Sequence, residues 1–114
     1  MKNKTTEIIA IIDEIIKGLS DGTLDINENN PREVVIDEKF SVGGGDTGNP
    51  EEPGELCFYI IKKYDKPVIF KSSENPELRY KMEEFDRSMK AAEERSKSHI
   101  KTKILNLLNQ ITEE

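Results

Sequence analysis

The sequence predicts an α+β fold in which an N-terminal helix, a three-stranded antiparallel meander and a long C-terminal helix follow one another (α-β-β-β-α). Three observations carry this. Isoleucines near the N-terminus recur at spacings of three and four; the middle of the chain holds short apolar runs of strand length; and from Pro76 onward no glycine or proline interrupts a long apolar stripe. A chain of 114 residues has room for one core, so residues 1–114 read as a single domain.

The first helix rests on Ile8, Ile11, Ile12, Ile15, Ile16 and Leu19, with Ile9 and Ala10 widening the stripe. β-Branched isoleucine is a middling helix former, so packing must hold this segment more than propensity does. Thr5 or Thr6 can cap it and Gly18 or Gly22 can end it. The polar stretch from Asp21 to Arg32, rich in asparagine and closed by Pro31, reads as a loop. Val34, Ile36, Phe40 and Val42 then fall on alternate positions, the period of a strand with one wet face, although Val35 and Glu38 break the pattern. Residues 43–55 carry glycines, prolines and acids and read as a long mobile loop. Leu56 to Ile61 is a continuous apolar run suited to a central strand, and Pro67 to Phe70 a short returning one.

Asn75, Pro76 and Glu77 form a helix start: a capping side chain, proline in the first turn and an acid beside it. Leu78, Met82, Phe85, Met89 and Ala92 follow at a seven-residue repeat, and after a gap at Ser96 the stripe resumes at Ile100, Ile104, Leu107, Leu108 and Ile111. One helix to about Gln110 would measure roughly 50 Å, longer than a compact domain of this size, so part of it should project or find a partner. The N-terminal helix is expected against the Ile100 to Ile111 half. The row Leu78, Met82, Phe85, Met89 and Ala92 either packs on the sheet or forms the seam of a homodimer.

Net charge is -6 and unevenly placed: from Asp21 to Glu55 ten acids face only Arg32 and Lys39. The remainder is slightly basic, with Arg87, Lys90, Arg95, Lys97, Lys101 and Lys103 set against Glu93 and Glu94. Affinity for DNA comes mainly from neutralising phosphate, so this balance disfavours a general nucleic-acid binder, while a local basic strip or an acidic phosphate mimic survives as an alternative. The strip Arg87 to Lys103 and the loop acids Asp46, Glu51 and Glu52 are the candidate partner-binding residues.

Chemistry is thinly represented. The glycines after Ser41 are followed by acids and prolines where a phosphate-binding loop needs lysine and a hydroxyl residue entering a helix. Asp25, Asn27 and Asn29 begin a calcium-loop spacing, but Asn30 and Ile36 stand where its glycine and closing glutamate belong. Ser96 and His99 share a helical face without an orienting third group in view, and the lone Cys57 reads as core filling. One cysteine and one histidine leave no ligand set for a transition metal. No catalytic residue, metal or cofactor is expected. No apolar run reaches the ~20 residues of a membrane span, and no cleavage pattern follows the first helix, so a cytoplasmic location away from membranes is expected. The wealth of Ile, Lys, Glu and Asn suits an AT-rich bacterial or phage gene. The expected function is a small protein-interaction module, an accessory, inhibitor or regulator. The rivals are a nucleic-acid mimic or binder, and an enzyme whose site the sequence does not display.

Overall fold

The computed structural model of the protein describes residues 4–113 and has an N-terminal helix, an antiparallel sheet and a long C-terminal helix. Helix α1 spans Lys4–Asp21, and Gly22, at φ 83°, ends it in the left-handed conformation. Thr5 thus lies inside the helix rather than at its cap. Its isoleucine face is the buried one: Ile8, Ile12, Ile15 and Leu19 enter the core, and Leu24 folds back over Gly18, its amide bonded to the Gly18 carbonyl at 3.0 Å.

The sheet has five strands where the sequence suggests three, in the meander order β1(Ile26–Asn27), β2(Asn30–Val35), β3(Phe40–Asp46), β4(Leu56–Lys62) and β5(Val68–Lys71). Two turns account for the difference. The asparagine-rich stretch is itself a tight hairpin, in which Asn27 Oδ1 accepts from the Asn29 amide at 3.0 Å. The second turn divides the expected strand Val34 to Val42: Asp37 Oδ1 accepts from the amides of Lys39 and Phe40, both at 2.8 Å, and reverses the chain. Val34 and Val42, two ends of one strand by their alternation, are in fact opposite each other across a hairpin.

Gly43, Gly44 and Gly45, expected in a mobile loop, are buried strand residues, and the loop proper shrinks to residues 47–55, which keep Gly48 and Gly54. Each of the three strand glycines is required by a close approach. A Cβ on Gly43 would lie 2.5 Å from the Tyr59 ring, one on Gly44 would lie 2.5 Å from the Cys57 carbonyl oxygen, and Gly45 adopts φ +130° against the Arg32 guanidinium. Residues 47–55 are hydrogen-bonded along their length. The Thr47 amide donates to the Glu55 carbonyl at 2.9 Å, Asn49 caps the following turn through Glu51 and Glu52, and Arg79 reaches the Gly54 carbonyl from the helix side.

A 3₁₀ turn, Pro76–Leu78, leads into helix α2, Arg79–Thr112, which is uninterrupted. Asn75 does not cap it; its side-chain amide donates back to the Lys71 carbonyl at 3.1 Å. α2 lays Leu78, Met82, Phe85, Met89 and Ala92 across one sheet face, and all five are buried. Phe85 meets Phe58 edge to face at 5.3 Å, beside Gly44.

Helix α1 runs alongside the first half of α2 in the same direction. Thr5 Oγ1 donates to Glu77 at 3.3 Å, Lys81 Nζ to Asp13 at 2.6 Å, and Arg95 Nη2 to the Leu19 carbonyl at 2.9 Å. This corrects the expectation that α1 covers Ile100 to Ile111. Eighteen residues of helix reach only about 27 Å at 1.5 Å per residue, and they start beside the beginning of α2.

Candidate protein-interaction arm

Among the described residues, Arg95 makes the last side-chain hydrogen bond from α2 to the body. Its guanidinium meets a carbonyl in the final turn of α1, where free acceptors and the negative end of the helix dipole favour a cation. Beyond it, every described residue from Lys97 to Glu113 is exposed although the helix continues. The molecule therefore measures 67 × 32 × 26 Å, with a radius of gyration of 17.1 Å. A compact chain of this length would have a radius near 13 Å.

The projecting arm is amphipathic. Ile100, Ile104, Leu107 and Ile111 step by four, three and four and so share a face, with Leu108 next to them. These five are between 51% and 73% exposed. A free helix of about 16 residues is marginal in water, since most helical stability in proteins comes from packing an apolar face. The arm presents such a face without covering it.

The candidate partner-binding cations divide between body and arm. Lys90 is paired with Asp86 at 2.9 Å, which raises its pKa, and Lys97 with Glu93 at 3.4 Å and Glu94 at 3.7 Å. Arg87 is exposed on the body, while Lys101 and Lys103 flank the apolar stripe of the arm. The six cations thus form no single patch, and local pairing weakens the part nearest the body as a phosphate-binding strip. Asp46 lies near Lys90, and its carbonyl accepts from Arg32 at 2.6 Å; Glu51 and Glu52 are exposed in the loop beyond. The row Leu78, Met82, Phe85, Met89 and Ala92, considered for an oligomer seam, takes the other route and packs on the sheet. The unpartnered apolar surface lies instead one step further along the same helix.

Where the arm leaves the body there is an open cleft of about 460 Å³, which brings Ser96 and His99 near Asp21, Asp25 and Glu28. Sequence spacing alone did not reveal these carboxylates. Among the described residues no hydrogen bond joins Ser96 to His99, or His99 to an acid, and Asp21 is taken up by Thr23, whose hydroxyl and amide hold its carboxyl below the usual range. A proton relay needs such contacts.

Two further clusters were hidden in the sequence. Glu55 is only 5% exposed and its carboxylate accepts from the hydroxyls of Ser73 and Thr47, which hold its pKa below the ordinary glutamate value. Together with the Leu56 amide donating to Ser72 Oγ at 3.0 Å, this fastens the start of β4 to the chain beyond β5. On the uncovered sheet face, the Tyr59 hydroxyl donates to Glu33 at 3.1 Å. Burial, followed by that carboxylate, pushes the phenol up to about 12. Burial also raises the Cys57 thiol, the opposite of what an activated nucleophile needs.

Among the described residues no group of three or more His, Cys, Asp or Glu is placed to hold a metal ion, and no helix is long and apolar enough to cross a membrane. Comparison of the chain with known protein families, with characterised proteins and with solved structures gave no match.

Proposed function

We propose that this chain is a small cytoplasmic protein-interaction module, of the accessory, inhibitor or regulator kind, which acts by contact rather than by catalysis. The observation that supports this reading is the arm: Ile100, Ile104, Leu107, Leu108 and Ile111 lie exposed along one side of a helix that has left its own core. A contiguous apolar row of this kind marks interaction surfaces, and a helix laying such a face against another protein is a recurrent recognition mode. The flanking Lys101 and Lys103 add charge that would bias the choice of partner and speed encounter.

The test is retention. Tagged chain on a resin is exposed to a bacterial lysate supplemented with an untagged copy of the chain, beside an Ile104→Asp/Leu108→Asp variant. The wild type should retain protein that the variant does not. Retention of nothing by the wild type, or equal retention by the variant, refutes the reading.

A further inference from the structure

The arm's own pattern specifies what fits it. Ile100, Ile104, Leu107 and Ile111 are arranged symmetrically about a point between Leu105 and Asn106, so turning the helix end for end superimposes the row on itself. Laid antiparallel against a copy, Ile100 falls opposite the other arm's Ile111, and Ile104 opposite its Leu107. These are the alternating layers of an antiparallel coiled coil.

Charge selects the same orientation. Beyond Lys97, which is paired with Glu93 and Glu94, the near half of the arm carries Lys101 and Lys103 and its far end carries Glu113. A parallel pair would set the lysines of one arm beside their copies; an antiparallel pair sets them toward the acidic end of the other arm and opposes the two helix dipoles. In this register the overlap covers the exposed residues 97–113 and leaves each body just outside the contact.

We infer that the partner of the arm is a second copy of this chain, bound as an antiparallel two-helix coiled coil through Ile100, Ile104, Leu107 and Ile111. This rests on the interaction-module reading and names the partner at that surface. The shared length is about 25 Å of helix, a contact at the small end of protein interfaces, below roughly 1,200 Å² in total. Self-association is a reversible equilibrium with a dissociation constant of about 1–500 µM.

The test uses the full chain. Light scattering over a dilution series from about 1 to 500 µM should show the mass rising from one chain to two, with Ile104→Asp weakening association at least tenfold. Added salt should weaken the wild-type equilibrium, because the pairing unites opposite charges. Nitroxide labels on Ser98→Cys in a Cys57→Ala background stand on the outer side of each helix and should sit about 30–35 Å apart, because position 98 and its opposite, 113, are offset along the axis by 15 residues at 1.5 Å each; a parallel pair lacks that offset and would hold them about 10 Å closer. A monomer throughout the series, association unaffected by Ile104→Asp, or the short label distance overturns the inference. If the chain is strictly monomeric but the resin retains another protein through the intact arm, the self-pairing fails while the interaction-module reading stands.

Discussion

Replacing Phe85 with alanine separates the two uses to which helix α2 puts its apolar residues. Phe85 is 1% exposed, stands edge to face on Phe58 at 5.3 Å, and covers the strand at Gly44. Removing a buried phenylalanine typically costs about 3–5 kcal/mol, which includes lost burial, the cavity left and the lost ring pair. The surroundings are strand backbone and close-packed side chains, poorly able to collapse into the gap, so about 4 kcal/mol is expected. A chain of this size unfolds with an entropy near 240 cal/mol/K, so the melting temperature should fall by about 15 °C. The total stability of such domains is about 5–15 kcal/mol, so the variant should remain folded but close to the edge. Thermal and urea unfolding followed by circular dichroism, at protein concentrations a hundredfold apart, provides the assay. The loss should be the same at both, because the partner of Phe85 is the chain's own sheet. A loss below about 1 kcal/mol, or one that disappears on dilution, would refute the placement of this row in the core and return it to an intermolecular seam.

Other expectations follow from the same contacts. Ile104→Asp, about three turns beyond Ala92, the last buried residue of α2, should change unfolding free energy by less than about 0.5 kcal/mol, measured by urea unfolding at a concentration where the chain is monomeric. Gly44→Ala should destabilise by about 1–3 kcal/mol, since its methyl would meet the Cys57 carbonyl at 2.5 Å and crowd Phe85; the same urea titration reads it. Glu55 has a folded-state pKa below its unfolded one, so the stability it contributes is present above about pH 4.3 and lost as pH falls through the lower folded value. Acid unfolding should therefore be shallower for Glu55→Gln, with stability measured between pH 5 and 2. Tyr59 behaves in the opposite sense. Its folded pKa is raised to about 12, so its contribution is present below about pH 10 and lost as pH rises toward 12; Tyr59→Phe should flatten that alkaline limb, and the absorbance of its phenolate should emerge last in a spectroscopic titration.

The parts of this fold that were legible in the sequence are those set by local repetition. The isoleucine period marks α1, and the absence of any breaker after Pro76 marks a continuous α2. Strand number was obscured at two turns, the asparagine-rich hairpin between Asn27 and Asn30 and the reversal at Asp37. Asp37 reverses the chain with its own side chain, in a stretch with neither glycine nor proline, so only the interruption at Val35 and Glu38 hints at the turn within the alternation of Val34, Ile36, Phe40 and Val42. The glycines misled for a different reason: what fixes Gly43 is a tyrosine ring 16 positions away, and what fixes Gly44 is a carbonyl and a phenylalanine from two other elements. Composition presents such residues as a linker, while their long-range neighbours make them a strand. The same limit applies to the candidate site. Both halves of the C-terminal stripe look alike as a pattern, and only the reach of α1 and the width of the sheet decide that Ala92 is covered and Ile100 is not.

Because the arm and the core-covering rod are one helix, the energetically difficult opening turns are already formed inside the body when the arm begins. Melting should travel from the free tip toward Arg95 and stop there, leaving the sheet undisturbed, and regrowth needs no fresh nucleus. Such an element can close on its target like a zip started from the root, so the speed of engagement is set by collision rather than by ordering a coil.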